Sequence, residues 1–487
     1  MSSTTTSNKP TRQDRDTLLS ALPPPYPGDL RSQIKAQITS PSSTLPLLVI
    51  LDDDPTGTQT CHDIQVLTTW SLPVLREAFT STTTAHIGGF FILTNSRALH
   101  PHEAEELIKE ITSNLLIASQ ETKKTFEVVL RSDSTLRGHF PLEADVVSGV
   151  LGEADLWVLA PFFLQGGRYT IDNVHYVDED GVLVPAGETQ FAKDATFGYV
   201  ESDLRDWVVE KSGGRIERGK VVGIGLGDVR EGGPERVAGL FEGFERGSVV
   251  VVNAACEGDM DVVVLGLLRA SEKRKFLFRS GAALVSARLG IAPIPPKTRQ
   301  ELNLDSKVGG LIIAGSYVPK TTAQLEVLVE KSGDKLTTIT LDVAKLLKSE
   351  ESAAQIVREA QGTAANEIQR GQDVLVMTSR KLVTGADGTE SLNIGATVAK
   401  ALVSFLTGLQ SRPRYVIAKG GITSSDMATK GLQMKIATVV GQAAPGVPLW
   451  ECLEKTSKWA GIPYVVFPGN VGSNETLFHV VDGWRAQ

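Results

Sequence analysis

The sequence predicts an α/β protein: two α/β domains with mainly parallel sheets facing across a cleft. Three observations carry this. Short, fully apolar runs alternate with amphipathic stretches along most of the chain, as in strand–helix–strand units. The series is interrupted once, at Ile291 to Lys297, where three prolines mark a hinge. The apolar runs also end in loops rich in Asp, Arg, Ser and Gly, which places chemistry along one sheet edge.

Residues 1–44 are polar and contain Leu22-Pro23-Pro24-Pro25, so they are expected to form a disordered or loosely structured tail, with one short helix near Leu30 to Ile38. An N-terminal domain is expected over residues 45–290, a linker over 291–307, and a C-terminal domain over 308–487. In the first domain the run Leu47 to Leu51 is a buried strand. It is stopped by Pro55 and Gly57, and it delivers Asp52, Asp53 and Asp54 together. Three carboxylates beside a core repel one another, so their crowding marks a site rather than a stabilising feature. Further strands are expected at Ile87–Leu93, Phe126–Leu130, Leu156–Ala160, Val221–Leu226 and Val249–Asn253, with a helix over Pro101–Ser119 that has proline and three glutamates in its first turn.

In the second domain the expected strands are Leu311–Ala314, Val374–Thr378, Tyr415–Ala418 and Tyr464–Phe467, and the expected helices Lys320–Lys331 and Leu392–Leu409. Gly315-Ser316, Gly420-Gly421-Ile422-Thr423 and Gly469-Asn470-Val471-Gly472 each follow a strand. Glycine lets backbone amides approach a phosphate, so three such turns on one edge point to a nucleotide. No GxxxxGK[ST] pattern is present, which excludes an ordinary P-loop.

Arg131-Ser132-Asp133-Ser134-Thr135-Leu136-Arg137-Gly138 gathers two cations and a carboxylate in one loop, and Arg97 follows a neighbouring strand. Arginine forks suit a carboxylate or phosphate, and Asp and Ser suit hydroxyls, so a polyhydroxy acid would satisfy both. The bland reading of either arginine alone is an internal salt bridge. His100-Pro101-His102 has a spacing that could hold a metal, but a solvated helix start explains it better. His139 and His175 lie near the site loops without an assigned role.

The formal net charge of −8 without a long basic run argues against a nucleic-acid partner. Three scattered cysteines form no CxxC pair and fit a reducing compartment. No run approaches the length of a membrane span and no signal peptide is visible, so a cytoplasmic protein with no membrane partner is expected. A homodimer is compatible with the sequence, which does not set the oligomeric state.

Asp53-Asp54-Pro55-Thr56-Gly57, the Ser132 to Gly138 stretch, Gly420-Gly421-Ile422-Thr423 and Gly469 to Gly472 stand in the order found in the four-carbon acid sugar kinases, which this chain resembles from about Leu47 to its C-terminus. The resemblance implies an N-terminal domain that holds an acid sugar such as a tetronate or 3-oxo-tetronate, and a C-terminal domain that holds ATP. Asp53, Arg97, Arg131, Ser132, Asp133 and Arg137 would then bind substrate. Ser316, Gly420, Gly421, Ile422, Thr423 and Gly469 would surround the nucleotide, with Lys419 adding a cation. Asp54 would take the proton of the attacking hydroxyl, with Mg2+ as the companion of ATP and its ligands unassigned. Ile422 and Val318 depart from the family pattern, where an acid and a serine are usual.

Two other readings use the same residues. Asp52-Asp53-Asp54-Pro55-Thr56 also fits the DxDxT pattern of haloacid-dehalogenase-type phosphatases, with Asp52 as nucleophile and Asp54 as acid/base. That reading lacks a following metal-binding aspartate pair near Gly227-Asp228 and leaves the glycine turns unused. A sugar-acid sensor that has lost transfer is the third.

Overall fold

A computed structural model describes residues 10–40, 42–84, 87–380 and 388–485. The chain forms two compact units. The first comprises residues 1–53 and 70–292, and the second residues 54–69 and 293–487.

The first unit is built on seven parallel strands in the spatial order Val221–Ile224, Ser248–Val252, Leu156–Ala160, Phe276–Ser280, Phe126–Arg131, Leu47–Asp52 and Gly89–Leu93. Most of these strands are buried along their length, which is why they are near-continuous apolar runs in the sequence rather than alternating ones. Leu47–Asp52 comes first in the chain. The next strand, Gly89–Leu93, pairs on one side of it and Phe126–Arg131 on the other. The connections therefore reverse direction at Leu47–Asp52, and ligands of open α/β sheets bind at such a point, past the C-terminal strand ends. Asp53 and the Arg131 to Gly138 loop both leave the sheet there.

A small antiparallel sheet, Arg168–Ile171, Val174–Glu179 and Val182–Pro185, belongs to the same unit, and Gln13–Asp14 extends its edge. Here the structure departs from the expected loose tail. Besides that strand, a helix runs over Leu30–Thr39, as the sequence predicted, with Ile34 fully buried. Arg31 anchors it by donating to Asp261 and to the Ile291 carbonyl, both at 2.5 Å. Partners more than 200 residues away are invisible in local composition.

The second unit carries five parallel strands in the order Tyr464–Phe467, Val416–Lys419, Leu311–Ala314, Asp373–Thr378 and Leu336–Leu341. Three antiparallel strands, Val447–Glu451, Ile436–Ala444 and Ile64–Leu67, continue that sheet. The last of these comes from the N-terminal part of the chain, which the expected boundary at residue 290 did not foresee. Leu311–Ala314 lies between Val416–Lys419 and Asp373–Thr378, so this sheet too has a reversal point, between Ala314 and Lys419. Ile312, Leu375, Ile417, Val465 and Phe467 pack one face of it against Leu328, Leu477 and Trp484.

Candidate functional site

In the first unit, strand Leu47–Asp52 ends with Asp52 fully buried, its carbonyl accepting from Thr94 N and Thr94 Oγ1, each at 2.9 Å. The next residue, Asp53, is also buried, and its amide donates to the Arg131 carbonyl at 3.1 Å. Arg97 leaves the neighbouring strand in a short 3-10 turn, Ser96–Ala98, entered through Asn95 in the left-handed conformation (φ 51°). Its guanidinium lies 3.8 Å from Asp53 Oδ1 and 3.7 Å from Asp133 Oδ1. Arg137 Nε donates to Asp133 Oδ2 at 2.6 Å, and its guanidinium stacks over Phe191.

Burial works against an ionised Asp133, but Arg137, Arg97 and the Thr135 hydroxyl outweigh it and hold the carboxyl far below the usual range. Asp133 is thus a fixed anion between two arginines. The internal ion pair and the site loop are here the same structure. Arg131 and Ser132 are buried at the strand end, Arg131 Nη1 donating to the Ser132 carbonyl at 2.7 Å. The loop is held from below by His175, fully buried, whose Nε2 lies 2.7 Å from the Ser134 carbonyl, and by the Tyr199 hydroxyl on the Thr135 carbonyl at 2.8 Å. Burial pushes the His175 imidazole down to about 4, so it is neutral and structural. His100 donates its amide to Glu103 at the start of the helix Pro101–Thr122, in keeping with a helix start.

Sequence reasoning missed two charged groups. Arg279, on the central strand Phe276–Ser280, is buried over the rings of Phe140 and Trp207. It donates to the Leu136 and Arg137 carbonyls at 3.3 and 3.2 Å, and Asp53, Glu143 and Asp133 lie in its field. A signal existed, since Phe276-Leu277-Phe278-Arg279-Ser280 has the same ending as Val128-Val129-Leu130-Arg131-Ser132 on the adjoining strand. Glu143 is buried in the first turn of the helix Leu142–Leu151, where a glutamate looks like an ordinary helix-start acid.

In the second unit the three glycine turns converge. Gly420 has φ 111°, a conformation suited to glycine, and a β-carbon there would stand 2.8 Å from Ser316 Cβ. One at Gly469 would lie 3.7 Å from Ser316 Oγ, and the Gly469 carbonyl accepts from Thr321 Oγ1 at 3.2 Å. Thr423 Oγ1 lies against Gly315 and Gly420. A β-carbon at Gly421 would collide with the Asp54 carboxylate, whose other oxygen accepts from Thr56 N at 2.9 Å. Ile422 and Val318 are exposed beside these turns.

Lys419 takes an unexpected position. Its side chain is fully buried, with the ammonium donating to the Pro468 carbonyl and lying 4.3 Å from the Phe467 ring centre. Burial, with nearby Lys320, brings its pKa down to about 7.

The division between the units falls at the acid pair. Asp53 belongs with Arg97 and Asp133 in the first, and its covalent neighbour Asp54 belongs with Gly421 in the second.

Residues 48–288 match the family described as the sugar-binding N-terminal domain, and residues 311–477 match the nucleotide-binding C-terminal domain. Among curated proteins the chain is similar to the D-erythronate kinase of Heliobacterium modesticaldum, 28% identical over 274 residues, 55% of this chain and 56% of that protein. The chain thus matches little more than half the length of that relative. Among solved structures it is similar to a protein of Salmonella typhimurium LT2, at TM-score 0.64 and 15% identity over 88% of this chain and 97% of that one. It is also similar to the Haemophilus influenzae protein HI1011, at TM-score 0.58 and 20% identity over 90% and 99%. At such identities the likeness speaks for the fold alone. With residues 48–288 and 311–477 matched in succession, the chain belongs to the family of proteins that join a sugar-binding N-terminal domain to a nucleotide-binding C-terminal domain.

Proposed function

We propose that the protein is an ATP-dependent kinase that phosphorylates a hydroxyl of a four-carbon sugar acid such as a tetronate or 3-oxo-tetronate. The observation that carries this reading is the division at Asp53 and Asp54. One carboxylate stands among arginines suited to a hydroxylated anion, and the next stands on a glycine turn suited to phosphates. The similar D-erythronate kinase supports it.

Phosphoryl transfer is mainly positioning and charge neutralisation. Arg97 and Arg131 bind the substrate carboxylate, and Asp133, Ser132 and Asp53 orient its hydroxyls, with Arg137 fixing Asp133. The backbone amides of Gly421, Ile422, Thr423 and Gly469 take the ATP phosphates, with Ser316 beside them; the Gly420 amide, expected to join them, is already donated to the Phe467 carbonyl at 2.8 Å, so Gly420 shapes the turn instead. Asp54 accepts the proton of the attacking hydroxyl. Lys419 acts through the Pro468-Gly469 turn that it holds.

The oxygen donors around the turns, Asp54, Ser316 and Thr423, are a hard set that suits Mg2+. Among the described residues no group of three or more His, Cys, Asp or Glu could hold a metal, so the triphosphate would supply further ligands. Bound there, Mg2+ supplies neutralisation of phosphate charge.

The test is purified protein with ATP, Mg2+ and a panel of tetronic and 3-oxo-tetronic acids, following ADP release. ADP release with none of them, alongside calorimetric ATP binding, would leave a sensor. The phosphatase reading is not favoured by the relatives, and its nucleophile Asp52 is fully buried. An aspartyl phosphate trapped on Asp52 without ATP would restore it.

A further inference from the structure

The turn that carries Arg97 is gripped from behind by the segment that follows the substrate loop. Ser96 Oγ donates to Glu143 Oε1 at 2.6 Å, and Thr94 Oγ1 lies 3.2 Å from Ser96 Oγ. His139 Nε2 stands 3.1 Å from both the Ser96 and Leu99 carbonyls, the two ends of the same turn. Residues 139 and 143 thus hold both flanks of Arg97. Burial pushes the His139 imidazole below its ordinary pKa, against the pull of the two carbonyls. Glu143 is buried, and three charged groups face it: Asp53 past the end of strand Leu47–Asp52, Arg97 on the turn, and Arg279 on strand Phe276–Ser280.

We propose that Glu143 is a positioning residue of the acid-sugar site: through Ser96 it fixes the turn that presents Arg97, and it does so as the neutral acid, so that its ionisation weakens capture of an anionic substrate. A carboxylate at 143 would add a second buried negative charge beside Asp53, within the field of the arginine assigned to the substrate carboxylate. Burial and Asp53 push its carboxyl up to about 7, which leaves it largely protonated at the acid side of neutrality. The inference rests on the kinase reading for its substrate, but not for its structural part.

Two measurements test it separately. The first is KM for the sugar acid across pH 6 to 8.5, at saturating ATP, in wild type, Glu143→Gln, Glu143→Ala and Ser96→Ala. Wild-type KM should rise through this range, while Glu143→Gln, permanently neutral and still an acceptor for Ser96, should hold the low-pH value throughout. Glu143→Ala and Ser96→Ala should raise KM roughly tenfold, as loss of a buried hydrogen bond implies, with kcat changed much less. A Glu143→Gln enzyme that keeps the wild-type pH course, or a Glu143→Ala enzyme with wild-type KM, would overturn the proposal.

The second measurement needs no substrate. The folded carboxyl binds its proton more tightly than an unfolded glutamate, at about 4.3. Wild type should therefore lose stability relative to Glu143→Gln as pH climbs from about 4.3 to about 7. The Tm gap between them should widen over that range and then level. Parallel Tm curves would sink the proposal even if every acid is turned over. A widening gap with no turnover of any acid would instead count against the kinase reading.

Discussion

Ser316 lies directly against Gly420: a β-carbon on residue 420 would come within 2.8 Å of the serine Cβ, at a backbone φ of 111°. Two neighbouring parallel strands, Leu311–Ala314 and Val416–Lys419, bring these residues together at the reversal point of their sheet. The contact leaves no room for a side chain.

Gly420→Ala should therefore be strained twice, by conformation and by collision. A stability loss of about 1–3 kcal/mol is expected from the backbone alone. The KM for ATP should rise at least tenfold as the turn shifts, with KM for the sugar acid little changed. Steady-state kinetics with each substrate varied in turn checks this; equal effects on both would show general loosening instead.

Asp54→Asn preserves shape and removes the basic carboxylate on Gly421. Turnover should fall by roughly 10²–10⁴, the range for a lost general base, while calorimetric affinity for the sugar acid stays within a few fold. Unchanged turnover would remove Asp54 from the proton-transfer step.

Asp133 couples the site to acid stability. Its folded carboxyl titrates below the unfolded value of about 3.9, so its contribution is fully present above that pH and is lost as pH falls through the folded value. Asp133→Asn should abolish this part of the acid unfolding profile. It should also destabilise the protein at pH 7 by roughly 1–3 kcal/mol, because the partly buried Arg137 loses its close hydrogen-bonded partner and keeps only Asp194, at 3.7 Å. Urea titrations at pH 3, 5 and 7 measure both effects.

Lys419→Met should run the other way. The folded ammonium gives up its proton near 7, well below an unfolded lysine, so wild type carries the full penalty below pH 7 and sheds it as pH rises toward about 10. The methionine variant should be more stable at pH 6 by roughly 1–4 kcal/mol, with the difference shrinking at pH 9. Its KM for ATP reports whether the hold on Pro468 matters to the nucleotide turn.

The sequence made the strands and their terminal loops legible because each central strand is buried on both faces and has to be a short apolar run. Leu156–Ala160, Leu311–Ala314 and Tyr464–Phe467 fall where the apolar runs predicted. The strand Phe276–Ser280 escaped because charged residues precede it and Arg279 sits inside it, compensated by rings and carbonyls that come from other elements. Leu336–Leu341 is half-exposed and threonine-rich, so it lacked the buried signature. In the site, Arg97, Asp133 and Arg137 were readable from loop position. Glu143 was not, since only the fold turns a helix-start glutamate into a buried neighbour of Asp53. Lys419 was placed in the right turn but on the wrong side of it: the even period of its strand sends the side chain inward, over Phe467.

Strand Ile64–Leu67 completes the sheet of the second unit by pairing with Ile436–Ala444, and Trp450 donates to the Thr58 hydroxyl at 3.0 Å. During synthesis this segment emerges early, and its partner follows about 370 residues later, a delay of tens of seconds at ordinary translation speed. Until then the nascent chain carries this β-segment without its Ile436–Ala444 partner. A gene split between the two named domains would yield a C-terminal fragment with an exposed sheet edge, one prone to stick to its own kind. Dissecting this protein into working halves therefore calls for transplanting residues 54–69 onto the later sequence, not a single cut.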